Sequence, residues 1–286
     1  MSAPAGLELE RPRDLGSLLS TGFSTYFAHF GTFIAIAAAV VVPVHLIVFG
    51  VGLEQLWSDY DSSPPIGETA LTAGVTYLII TPLITAMAVH ALQALGARRN
   101  PSAREAITGG LEMFTPVFLA VMLAALGVAV GLLLLILPGI YLAIRWYFVP
   151  QAVILERARG AQALERSAVL VKGSWWRVFA IGLVASLIAA AAVSALAIPA
   201  ALLAEAADRA VIALLISLLT DSLTAPFVAI VGTLLYFDLR ARRAGVPDPG
   251  AWPPPQPDAP PPPPAHPEAP EPPPAGEPPD PPGLPR

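Results

Sequence analysis

The 286-residue sequence predicts an all-α integral membrane protein with six transmembrane helices, interfacial amphipathic helices on the cytoplasmic side and a disordered proline-rich C-terminal tail. Three observations lead there. Apolar residues make up 55% of the chain and charged residues 13%, with a mean hydropathy of +0.65, whereas an ordinary soluble domain carries about 25% charged residues. Several apolar runs reach the roughly 20 residues that a helix needs to cross a bilayer core of about 30 Å. Finally, thirteen of the sixteen Lys and Arg residues fall in four patches that alternate with pairs of those runs.

Five runs are long enough to span: Phe30–Gly52, Ala70–Leu95, Phe114–Leu137, Val178–Leu203 and Val211–Phe237. A sixth, Ile140–Leu155, is shorter, but residues 114–155 together would extend about 63 Å as helix, enough for two crossings. Leu137-Pro138-Gly139 supplies the turn between them, since proline removes a backbone donor and glycine permits a tight reversal. The charge pattern agrees. The basic patches (Arg11 and Arg13; Arg98, Arg99 and Arg104; Arg157, Arg159, Arg166, Lys172 and Arg177; Arg240, Arg242 and Arg243) hold eight acids and a net charge of +5, while loops 53–69 and 204–210 net −5. Because Lys and Arg are retained on the cytoplasmic side, both termini are expected in the cytoplasm; the dominance of Arg among the bases (fifteen of sixteen), with abundant Ala and Pro, suggests a bacterial source and hence its inner membrane.

Three connections carry helical apolar spacing of their own. Leu15, Leu18, Leu19, Phe23, Tyr26, Phe27 and Phe30 describe an amphipathic helix before the first span. Ala163–Trp176 places Leu164, Ala168, Val171 and Trp175 on one face, with Glu165, Arg166 and Lys172 off it, and Ser102–Phe114 is a weaker version. The chain thus divides into an N-terminal segment 1–14, a membrane domain 15–244 and a tail 245–286 that holds 21 of the 33 prolines. The tail also carries six acids against one base, so the body before it is neutral. Such a segment cannot bury a core and favours extended polyproline II, either as a solvated tether or as a charged arm that reaches a protein partner.

The chemistry-bearing residues are few. There is no cysteine, which removes disulfides, thiolate catalysis and Cys-ligated metals. The four histidines His29, His45, His90 and His266 are dispersed and form no ligand spacing, so no metal or cofactor is expected, and no phosphate-binding loop or nucleophile elbow occurs. A neutral body gives no reason to expect a nucleic-acid partner. Two ionisable residues interrupt apolar runs, Arg145 and Asp221. Charged groups at such depth are expensive and need a partner, hydration or a route to the interface. They form the candidate intramembrane polar site, either as a pair or each with a local structural role. Arg157, Arg159, Arg166, Lys172, Trp175, Trp176 and Arg177 form a candidate rim for lipid head groups, each base contributing about 1 kcal/mol near anionic lipid. The bland alternative for the rim is topology control with aromatic anchoring.

The run from Leu137-Pro138-Gly139-Ile140-Tyr141 through Arg145, Glu156 and Ala163-Leu164-x-Arg166-Ser167 to Gly173 and its aromatic pair resembles the membrane domain that precedes the catalytic part of some bacterial glycerophosphodiester phosphodiesterases. Tyr236-Phe237-Asp238-Leu239-Arg240 resembles that family's last-helix end. The resemblance implies a six-helix membrane protein. It does not imply phosphodiesterase activity, because the metal-binding catalytic barrel has no counterpart in this sequence. The expected function is a non-enzymatic membrane module that contacts lipid or acts as a scaffold. The alternative is a transporter or channel-like protein using Arg145 and Asp221.

Overall fold

The computed structural model describes residues 7–50, 74–203 and 209–244, and these form ten α-helices and one π-helical turn, with no strand among them. The tail 245–286, loop 53–69 and residues 204–208 of the second acidic loop lie outside the described residues. Helix α1 (Leu15–Ala28) starts where the Asp14 carboxylate accepts the Ser17 amide at 2.7 Å, satisfying one of the orphan donors of the first turn. Hydrogen bonding from Ser17 also holds the Asp14 carboxyl below the usual carboxylate range. At His29 the backbone leaves helical geometry, and α2 (Phe30–Gly50) follows.

A π turn, Thr76–Ile80, leads into α3 (Thr81–Gly96), which carries Pro82 in its first turn, a position where the missing N–H costs nothing. Helix α4 (Ala103–Glu112) is capped by Ser102 and packs against α3 so closely that a Cβ at Gly110 would lie 2.4 Å from Met87 Cγ. Then come α5 (Phe114–Leu134), α6 (Ile136–Arg145), α7 (Val149–Glu156), α8 (Ala161–Val171), α9 (Trp175–Leu203) and α10 (Arg209–Ala244). Helices α1, α4 and α8 each directly precede a long apolar helix, as their spacing predicts.

Five helical stretches are long and apolar enough to cross a membrane: Phe30–Val48, Thr76–Gly96, Phe114–Leu134, Trp175–Leu196 and Leu215–Ala244. The sixth expected span, Ile140–Leu155, differs from the expectation because it is divided between two helices. Helix α6 stops at Arg145 and α7 begins at Val149. The Ser167 hydroxyl of α8 holds this break, accepting the Phe148 amide at 3.1 Å and donating to the Arg145 carbonyl at 3.0 Å. A neighbouring side chain has replaced part of the helical ladder.

Helices α6 and α7 run antiparallel to α5. Gly131 meets Gly139, Gly127 meets the Trp146 ring, and Val117, Ala120 and Ala124 share an apolar cluster with Val149 and Val153. The amphipathic faces are set by these neighbours rather than by hydropathy alone. On α8 the buried residues include Ser167 and Ala163, while Leu164 is only half-buried. On α1, Leu18 and Tyr26 are buried, but Phe23 and Phe27 stack outward, with Phe30 at the start of α2 continuing the stack. The Tyr26 hydroxyl donates to the Leu223 carbonyl of α10 at 2.9 Å, next to the Ser222 carbonyl that Pro226 leaves without an amide donor. Burial pushes that hydroxyl up to about 12, which keeps it protonated as a donor.

Candidate functional site

The densest polar cluster ties the N-terminal segment to α9 and α10. Asp238, at the end of α10, has a side chain with no solvent exposure. Its carboxylate accepts the Arg13 amide at 2.6 Å, Arg177 Nε and Nη2 at 3.1 and 3.0 Å, and Arg242 Nε at 3.1 Å. The carbonyl of Arg13 in turn accepts Nη2 of both Arg177 and Arg242. The Arg13 guanidinium curls back onto the carbonyls of Glu8, Leu9 and Arg11. Burial and the neighbouring Arg11 push its pKa down, against the opposing pull of Asp238 and Glu8. A buried carboxylate survives only when its lone pairs are satisfied and its charge compensated. Here two guanidinium groups and one amide do both, and the cluster can act as a clasp but offers no reacting group.

Each residue singled out in the sequence can now be placed. Asp221 and Arg145 do not pair. The Asp221 carboxylate lies 2.9 Å from His45 Nε2 of α2, while Arg145 Nη1 donates to the Tyr141 hydroxyl at 2.9 Å, its guanidinium carbon 5.9 Å from the centre of the same ring. The Arg145 side chain is exposed on the outside of the helices. The pair raised as one alternative from the sequence is therefore replaced by two separate ones, His45–Asp221 and Tyr141–Arg145.

The expected rim divides as well. Arg157, which closes α7 in a left-handed conformation at φ 54°, and Arg159 are exposed, as are Lys172 and Trp176 at the other end of α8. Arg166 is half-buried. Trp175 is anchored by an indole hydrogen bond of 3.3 Å to the Tyr141 carbonyl and by stacking on the Tyr141 and Phe179 rings. Arg177 belongs to the Asp238 clasp, which removes it from the rim.

Sequence reading missed His45 and the clasp. His45 and Asp221 are 176 positions apart, and nothing local links them. The i, i+4 spacing of Asp238 and Arg242 was a readable signal, but it named only one of the three bases that converge there. A second polar pair, in which the Tyr236 hydroxyl donates to Glu156, joins α10 to α7. Among the described residues no three His, Asp or Glu side chains gather as a metal would require. A groove of ≈ 490 Å³ separates residues 7–10 from Gln93, Arg98, Leu155, Phe237 and Arg240. It mixes Glu8 and Glu10 with two arginines and presents no single charge to a ligand.

These features define an all-helical protein whose apolar helices are compatible with a membrane. No family model matches the chain, and no curated protein or solved structure does either.

Proposed function

We propose that this protein is a non-enzymatic, multi-pass module of the bacterial cytoplasmic membrane that holds anionic lipid head groups along a basic rim on its cytoplasmic face. The observation that carries this reading is the exposure of Arg157, Arg159, Lys172 and Trp176 around the two ends of α8, beside the anchored Trp175. Bases and aromatic side chains of this kind are the pair of groups that suit a membrane–water interface. The resemblance to the phosphodiesterase membrane domain accords with it, and so does the consumption of the buried charges in the clasp. Both termini belong to the cytoplasmic side on this reading, so the proline-rich residues 245–286 are available to a cytoplasmic protein partner. The separate partners of Arg145 and Asp221 favour this reading over a polar transport path built on those two residues.

Purification in native lipid followed by mass spectrometry of the retained lipids tests it. The wild type should retain phosphatidylglycerol over phosphatidylcholine, and the combined Arg157→Ala, Arg159→Ala, Lys172→Ala variant should lose that preference, since each base contributes about 1 kcal/mol. An unchanged preference in the triple variant would remove the rim.

A further inference from the structure

We infer that the α5–α6 hairpin enters the hydrocarbon and turns back without crossing it, so that its tip is covered by lipid acyl chains. The inference rests on the membrane reading above but not on the lipid-binding rim.

The tip is the first observation. Leu132, Leu133, Leu134, Leu135, Ile136 and Leu137 are consecutive and all exposed, from 46% for Leu132 to 86% for Leu133. No charged residue occurs anywhere from Phe114 to Ile144. The loops that join the other spans differ, with four acids in 53–69 and two acids and a base in 204–210. A turn that emerged into water would place six large apolar side chains there with no polar companion.

The backbone of the turn is the second. Unpaired backbone groups in hydrocarbon cost several kcal/mol each, so a turn there has to interrupt the helical ladder as little as possible. Here a single residue, Leu135, leaves helical geometry (φ −161°, ψ 147°). Its amide donates to the Gly131 carbonyl at 3.0 Å, and its carbonyl accepts the Gly139 amide at 3.4 Å. Pro138 has no N–H to satisfy. The Gly131–Gly139 contact, where a Cβ on Gly131 would lie 3.0 Å from the Gly139 Cα, lets the two helices meet closely enough for so short a reversal.

The third is reach. Ser167 joins the break at Arg145–Phe148 to α8, a helix that exposes Glu165, and Arg145 itself is exposed. Tyr141 and Trp175, bonded and stacked, are the side chains suited to an interface. Polar surroundings therefore extend up to the end of α6. Beyond it the α6 arm has ten residues, about 15 Å of helix against a core of about 30 Å, and of α5 only the part past Gly127, which meets the Trp146 ring, lies beside it. A hairpin that returns to the side it came from leaves the charge parity of the four basic patches intact.

The absence of native cysteine makes single-cysteine labelling decisive. Asp61→Cys, Glu205→Cys and Leu135→Cys would each be treated with a membrane-impermeant maleimide in intact cells and in inside-out vesicles. Asp61→Cys and Glu205→Cys should label only in intact cells. Leu135→Cys should label in neither and react only after detergent solubilisation, which also shows that the protein was present. Labelling of Leu135→Cys in intact cells at the rate of Asp61→Cys would overturn the hairpin, as would labelling in the inside-out vesicles. A disulfide-linked dimer of Leu135→Cys on mild oxidation would assign the tip to a second copy of the chain and overturn the lipid assignment. Failure of Asp61→Cys to label from outside, with Leu135→Cys protected throughout, would sustain the hairpin while refuting the proposed orientation.

Discussion

Helices α3 and α5 invite comparison because their candidate spans, Thr76–Gly96 and Phe114–Leu134, both contain 21 residues. The α3 span is the less apolar, with a mean hydropathy of 1.8 against 2.8, yet 72% of it is enclosed by protein and only 22% of the α5 span is. In a water-soluble domain the ranking would run the other way. The difference follows from the solvent. Between helices in a membrane, association depends on close packing rather than on escape from water, so interfaces favour small residues and lipid takes the large apolar ones. Helix α3 offers Ala86, Ala88, Ala91 and Ala94 to its neighbours, all buried, and α4 approaches it through Gly109 and Gly110. Helix α5 presents Leu119, Leu123, Leu126 and Leu133 outward. In these two helices the higher hydropathy goes with exposure and the lower with enclosure, as expected if lipid covers the exposed face.

The comparison can be broken at three levels. The largest effect is expected where the enclosed part of the molecule depends on charge. Asp238→Ala leaves Arg177 and Arg242 without their buried counter-ion, a loss of about 3–5 kcal/mol, and thermal unfolding in detergent should show a large fall in midpoint. An unchanged midpoint would mean that the clasp does not secure the N-terminal segment to α9 and α10. Next comes Ile84→Ala in α3, at a fully buried position, where truncation should cost about 2–5 kcal/mol. The smallest effect belongs to α5: Leu126→Ala, at a 63% exposed position, should lie within about 0.5 kcal/mol of wild type, as exposed substitutions usually do. Equal losses from Ile84→Ala and Leu126→Ala would dissolve the distinction between core and lipid-facing helices.

Much of this architecture can be read from the residues alone, for physical reasons that also explain what cannot. The helix starts are legible because capping is local, as at Asp14 and Ser102. The α5–α6 reversal is legible because Pro138 and Gly139 punctuate it, although the turn itself falls on Leu135, just ahead of them. The break between α6 and α7 is harder. Hydropathy continues through Trp146-Tyr147-Phe148, and the hydroxyl that holds the break comes from Ser167, on another helix. Pro150, in the first turn of α7, is the signal that was available, since proline suits a helix start better than a helix interior. For the charged groups, counting patches places them on one side but cannot pair them. Arg13 meets Asp238 across 225 positions, and His45 meets Asp221 only because α2 and α10 pack together.

On the inference above, the exposed tip of the α5–α6 hairpin lies in hydrocarbon while α3 sits in the protein core. The most direct measurement is collisional relaxation of a nitroxide attached to Leu133→Cys in the reconstituted protein, comparing dissolved oxygen, which concentrates in acyl chains, with a water-soluble nickel chelate. Strong relaxation by oxygen and almost none by nickel is expected, with the same label on Asp61→Cys showing the reverse. Relaxation of the Leu133→Cys label by nickel as effective as that at Asp61→Cys would place the tip in water and contradict it.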